Sequence, residues 1–278
     1  GFDGVSWGEH LFFHGATPNS FVSLAAAAGA TSRIRILSSV VILPLYPAAL
    51  AAKLAVTLDR VSRGRLDLGV GVGGEYPPEF EAAGVDVRTR GRRMDETLSV
   101  LRELFAGEPV DFDGNFTRIP GLTMAPGPVQ KPGPPIWMGG RRPVAMRRAG
   151  RHADVWFPYM YSPEQLASSL TTVRGEAEKA GRDPSAVRGA VFCWGGVDED
   201  RARSRREVSD MVGGIYKQDF DKLVDRYLLH GTPDDVHARI DEYREAGAET
   251  IVFSPVGDGS RRDEIVSMFA EHVLPRLR

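Results

Sequence analysis

The sequence predicts an α/β fold of the (β/α)8 TIM-barrel kind. Strand-like and helix-like segments alternate seven times along the chain, and repeated βα units build parallel sheets. The length of 278 residues suits one such barrel, which typically needs about 250. The opening is abrupt: Gly1 stands where a helix C-cap would sit, and a strand follows at once. A strand–helix unit is therefore expected upstream of Gly1, raising seven units to eight. Residues 1–278 are expected to form one barrel domain, incomplete at its N-terminus.

Each element has a local reason. Gly4 to Gly8 reads as a short strand, and Asn19 to Ala30 as an alanine-rich helix. Arg33 to Ile42 is an apolar, β-branched strand. Pro47 to Val61 is a helix with proline at its start, where a missing N–H costs nothing. Leu66 to Val72 is a strand. Arg90 to Phe105 is a helix, with Leu98, Leu101, Leu104 and Phe105 at helical spacing. Gly107 to Pro134 is a long Pro- and Gly-rich connection, with a hairpin expected around Asp113-Gly114. Strands follow at Pro135–Met138, Ala153–Phe157, Val187–Trp194 and Thr250–Ser254. Between and after them, helices are expected at Arg142–Arg151, Pro163–Ala180, Asp200–Val212, Lys217–Leu229, Pro233–Ala246 and Arg261–Leu277.

Composition bounds the function. Apolar residues make up 42% and charged residues 26%, enough for a large globular core. A net charge of −2 supplies no basic field for nucleic acid. No apolar run reaches the ~18 residues of a membrane-spanning helix. A single cysteine, Cys193, rules out an internal disulfide and fits a reducing compartment; with no secretory signal at the start, a cytoplasmic location is expected. No H-E-x-x-H, paired C-x-x-C, phosphate-binding G-x-x-x-x-G-K-[ST] or G-x-S-x-G motif occurs, so neither metal, triphosphatase nor hydrolase chemistry is expected.

Gly69, Gly71 and Gly74 match the dinucleotide fingerprint G-x-G-x-x-G. A dinucleotide cradle needs a helix opening at the glycines and an acid some 20 residues on. Pro77 and Pro78 follow almost at once instead, and Asp95 lies inside a helix. Two other uses remain open. One is a plain tight turn. The other is a barrel strand kept thin at its C-terminal end, so that a flat ligand can lie close to the backbone, with Glu75 at the mouth. A second glycine pair, Gly139-Gly140, ends a strand just before Pro143 opens a helix. Exposed N–H groups and the helix dipole suit an anion there, and Arg141 or Arg142 adds a charge-assisted contact.

The segments "GFDGVSWGEH", "SSVVILPLYPAALAAKLAVTLDRVSRGRLDLGVGVGG", "RGRRMDETLSVLRELFAG" and "PPIWMGGRRPVAMRRAGRHADVWFP" resemble the bacterial luciferase-like family of flavin and deazaflavin oxidoreductases, along essentially the whole chain. "LDRVSRGRLDLGVGVG" is the most specific part. The resemblance points to the coenzyme F420-dependent branch, with an FMN-dependent monooxygenase as the rival. It implies a luciferase-like barrel with F420 or FMN at the C-terminal mouth of the strands, a small organic substrate, and a homodimer contacting through the helices of the first half of the chain.

The resemblance also implies site residues. His10 would handle a proton while hydride moves, with Glu9 as orienter or cofactor contact and Glu75 as a second acid–base group. Ser38, Ser39 and Val40 would form a bulge against one ring face, with a cis peptide favoured at Ser39-Val40. Gly71, Val72, Gly73 and Gly74 would edge the ring and its side chain. Gly139, Gly140, Arg141 and Arg142 would take the cofactor phosphate. His14 has less claim, and Trp7, Trp137, Trp156 and Trp194 are expected mostly in the core. Cys193 is expected as a buried small hydrophobe. A cofactor-less binding barrel and a sugar-phosphate enzyme are the remaining alternatives.

Overall fold

The computed structural model of the protein describes Gly1–Leu277, which divide into two compact units. The first comprises Asp3–Met138 with His152–Asp154. Its strands are β1 (Gly4–Trp7), β2 (Arg35–Ser38), β3 (Val41–Ile42), β4 (Leu66–Gly71), the hairpin pair β5 (Val110–Asp113) and β6 (Arg118–Leu122), and β7 (Ile136–Met138). Helices α1 (Ser20–Ala30), α2 (Ala48–Val61), α3 (Pro77–Ala82) and α4 (Arg90–Ala106) lie between them. Strands β1, β2, β4 and β7 are successive parallel neighbours, in registers such as Gly4↔Arg35, Ile36↔Leu66 and Leu68↔Ile136. Parallel strands covered by helices bury both faces, so Ile36, Leu37, Leu66, Leu68 and Val70 are all buried without alternation.

The helix ends follow their sequence signals. The Asn19 side chain accepts the Val22 N–H and caps α1. Gly107, at φ +86°, closes α4 in the left-handed conformation. The long connection after it is fastened at two points. The Glu96 carboxylate accepts the Asn115 and Phe116 N–H groups at the hairpin turn, at 2.8 and 2.9 Å. Buried Asp59 accepts the Val129 and Gln130 N–H groups and the Gln130 amide.

The second unit comprises Gly1–Phe2, Gly139–Arg151 and the chain from Val155 onward. It contains α5 (Pro143–His152), β8 (Val155–Trp156), α6 (Pro163–Lys179), β9 (Arg188–Gly195), α7 (Arg201–Tyr216), α8 (Val224–Tyr227), α9 (Pro233–Glu245), β10 (Ala248–Pro255) and α10 (Gly259–Met268). Strand β9 pairs in parallel with β8 on one side and β10 on the other. Capping boxes open α6 (Ser162 with Gln165) and α9 (Thr232 with Asp235).

Three expected elements differ. The strand expected over 33–42 is interrupted after Ser38, where the Ser39-Val40 peptide is cis, and resumes as the two-residue β3. The helix expected over 217–229 shrinks to α8; α7 runs on to Tyr216, where Lys217 in a left-handed conformation (φ +56°) ends it. The last helix starts at Gly259 and loses its α ladder after Met268, passing through a wide turn at Phe269–Val273 into a tight one at Leu274–Leu277. Pro275 has no N–H to continue the ladder, and its ring crowds the preceding turn.

Candidate active site

The glycines of β4 serve the neighbouring backbone. A Cβ on Gly69 would fall 1.8 Å from the Ser38 carbonyl oxygen, and one on Gly71 would fall 2.7 Å from Val40 Cγ2. Strand β4 is therefore thin where the cis bulge leans on it. Ser38 is fully buried, and its hydroxyl donates to Gly69 O and accepts the Gly69 N–H, both at 2.8 Å. The Ser38 side chain thus braces the bulge against β4, while Ser39 and Val40 are half-buried. Past the strand, Gly73 (φ +59°) and Gly74 (φ +103°) turn the chain in conformations that a side chain disfavours. A helix does open beyond them, but only as the six-residue α3, with prolines at its first positions. Glu75 is exposed on this turn.

Glu9 and His10 part company. The buried Glu9 carboxylate collects four donors: Ile42 N–H at 3.1 Å on one oxygen, and Ser20 N–H (3.2 Å), Asn19 Nδ2 (3.1 Å) and Tyr46 Oη (3.0 Å) on the other. Burial pushes its pKa above the ordinary carboxylate value, against the pull of these donors. Burial also raises the Tyr46 phenol, and Glu9 beside it adds to the shift. His10 turns the other way: its Nδ1 lies 3.2 and 3.1 Å from the two carboxylate oxygens of Glu79. Glu9 was expected as orienter or cofactor contact; among the described residues its hydrogen bonds go to Ile42, Ser20, Asn19 and Tyr46, and the carboxylate that faces the His10 ring is that of Glu79.

Glu79 escaped the sequence reading because an acid in the first turn of a helix is an ordinary dipole partner. Its signal was the helix start at Pro77, which sets residue 79 and Phe80 facing inward; both are completely buried. The carboxylate also accepts the Leu11 N–H at 3.1 Å, so the loop after β1 hangs on α3. The His10 ring stacks on Phe13, with centroids 4.1 Å apart and planes 15° from parallel. His14 packs edge-on against Tyr76.

In the second unit, Gly139 is held bare by the backbone. A Cβ there would lie 2.1 Å from the Phe157 carbonyl oxygen. Gly140 turns at φ +151° and leads to the exposed Arg141 and Arg142 ahead of α5. The Arg141 guanidinium lies over the Tyr159 ring, 5.1 Å from its centroid, and 3.4 Å from its hydroxyl. Cys193 is buried, and burial lifts its thiol pKa, disfavouring the thiolate. Trp137 and Trp156 are buried, but Trp7 is 43% exposed, contrary to its expected core place; it ends the short strand β1, beyond the apolar layer.

In the first unit, taken by itself, the bulge with half-buried Ser39 and Val40 beside a strand bare of side chains suits one face of a flat ring such as a flavin's. In the second, taken by itself, a glycine turn beside two exposed guanidinium groups suits an anion. No helix among the described residues is long and apolar enough to cross a membrane.

Comparisons with known proteins converge on one family. The family model described as luciferase-like monooxygenase matches residues 1–250. An uncharacterized protein of Mycobacterium tuberculosis is 37% identical over 197 residues, covering 70% of this chain and 67% of its own. Among solved structures, a monooxygenase of Streptomyces bottropensis superposes with a TM-score of 0.87 at 30% identity, covering all of this chain and 89% of that one. The coenzyme F420-dependent tetrahydromethanopterin reductase of Methanopyrus kandleri shares the fold, with a TM-score of 0.82 at 20% identity over all of this chain and 92% of that one. The fold class expected from the repeated βα units, the luciferase-like α/β barrel, is the one these structures have.

Proposed function

This chain belongs to the luciferase-like monooxygenase family, and from that premise we propose that it is an F420-dependent oxidoreductase passing hydride between the deazaflavin and a small organic substrate. The observation that carries the reading is His10 Nδ1 held 3.1 Å from the buried Glu79 carboxylate, which leaves Nε2 without a hydrogen-bond partner among the described residues. When bound, the deazaflavin supplies two-electron chemistry at its C5, so oxygen is not needed. His10 takes or returns a proton at Nε2 as the substrate changes oxidation state. Ser39, Val40 and the bare backbone of Gly71–Gly74 support a flat ring, and Glu75 is the second acid–base group. The Gly139–Gly140 turn, with Arg141 and Arg142, binds phosphate.

The rival reading is an FMN-dependent monooxygenase using reduced flavin and oxygen, favoured by the Streptomyces likeness at 30% identity. Fluorescence titration of the purified protein with F420 and FMN separates the two. Saturable micromolar binding of F420, with FMN weak, supports the proposal; preference for FMN moves the protein to monooxygenation; binding of neither leaves a cofactor-less barrel. A second copy of the chain is the expected partner, through the helices of the first half, where Val22, Leu50 and Val61 are exposed. Light scattering of the eluting protein tests that pairing.

A further inference from the structure

We infer that Glu79 is the positioning residue of this site: it fixes His10 as the Nδ1–H tautomer, so that Nε2 presents a lone pair. The inference rests on reading His10 as the proton-handling residue. A carboxylate only accepts hydrogen bonds, so the ring nitrogen facing it must donate. Both Glu79 oxygens face Nδ1, at 3.2 and 3.1 Å, and no other ring contact competes for that atom. In a neutral imidazole the bond made by one nitrogen decides the role of the other.

Two further contacts make the arrangement rigid. Glu79 Oε2 also accepts the Leu11 N–H at 3.1 Å, so the ring and the backbone just after it hang from one oxygen. Phe13 lies flat against the ring and resists its rotation. The other nearby carboxylate, Glu9, is already engaged by Ile42, Ser20, Asn19 and Tyr46. A fully buried carboxylate is expensive unless donors meet it. At Glu79 those donors are supplied by the histidine and its loop. His10 is therefore a base first: it accepts a proton at Nε2 in the resting protein, and donates only after it has been charged.

Nitrogen-15 NMR of the histidine-labelled full chain at pH 7.5 reads the tautomer directly, with the His10 signals assigned by their loss in His10→Gln. The expected pattern is a protonated Nδ1 and a bare Nε2. Glu79→Leu removes both acceptor oxygens at similar side-chain size. The Nδ1–H then has no carboxylate to face, and the ring is expected to exchange between its two tautomers, so the two nitrogen signals move toward each other. A residue that only packs would leave the pattern as it was. A wild-type ring protonated at Nε2, alone or with Nδ1, overturns the inference, as does an unchanged pattern in folded Glu79→Leu. Should that variant fail to fold, the wild-type spectrum alone still decides. Loss of the proton-handling reading is seen separately, as undiminished turnover in His10→Ala, and does not alter the tautomer result.

Discussion

The hydroxyl of Ser38 and the backbone of Gly69 form a reciprocal pair, Oγ donating to the glycine carbonyl and accepting its N–H, each at 2.8 Å. A side chain thus joins a ladder between two parallel strands at the point where the chain breaks into the cis bulge. This closeness explains why Gly69 and Gly71 carry no side chain, while Gly74 answers to its positive φ of +103°.

Gly69→Ala is expected to destabilise the protein by about 3 kcal/mol, the upper end of ordinary overpacking. The added Cβ would meet a backbone oxygen, at 1.8 Å, which cannot swing aside. Gly71→Ala meets a Val40 methyl instead and should cost less. Urea midpoints compare the two; equal stabilities would show that the bulge yields as readily as a side chain does.

Glu9 gives a pH prediction. Its pKa is raised on folding, so the native state holds a proton more firmly than the unfolded chain does. The stability this contributes is fully present below the ordinary carboxylate value of 4.5 and is lost as pH rises through the folded value. Glu9→Gln cannot ionise. The stability of wild type relative to Glu9→Gln should therefore fall as pH climbs from 4.5 toward neutrality. A gap that widens in favour of wild type would mean that the four donors outweigh burial.

Much of this was legible in the sequence, for reasons that differ by residue. The βα alternation was readable because helix starts such as Asn19 and Pro47 and the apolar runs of β2, β4 and β9 act locally. The position of the cis bond came from the family resemblance. The helix start at Pro77 signals that Glu79 faces inward, but its role was not readable, since that depends on His10, 69 residues away in the chain. The Glu9 cluster was hidden for the same reason: its donors come from residues 19, 20, 42 and 46, and no spacing rule joins them. Short-range signals also misled near the end, where helical periodicity ran through Pro275 and the backbone could not follow.

Arg141→Ala tests the phosphate role. Its guanidinium is exposed and already oriented by the Tyr159 ring, so little folding energy is at stake. Loss of one charge-assisted hydrogen bond, about 1.5 kcal/mol at the low end, weakens coenzyme binding roughly tenfold. Thermal stability should change by less than about 0.5 kcal/mol, as at ordinary surface sites. Fluorescence titration checks the first expectation and a melting curve the second. Unchanged affinity would leave the glycine turn without its proposed anion.

His10→Ala separates binding from chemistry. The ring faces Glu79 and stacks on Phe13, whereas the proposed coenzyme contacts are assigned to other residues. Removing it should leave coenzyme affinity nearly unchanged. Turnover should fall by about 10²–10⁴-fold, the usual worth of a positioned acid–base group. The measurement is the absorbance change of F420 against a panel of small alcohols and carbonyl compounds, in wild type and variant. A variant that keeps its rate shifts the proton to another group. Glu75, exposed on the turn after β4, is then the one to change, because it can reach solvent to exchange that proton. If Glu75→Gln also keeps the rate, neither side chain handles the proton and both assigned roles fall; the enzyme reading itself falls only if the wild type binds F420 and turns over none of the panel.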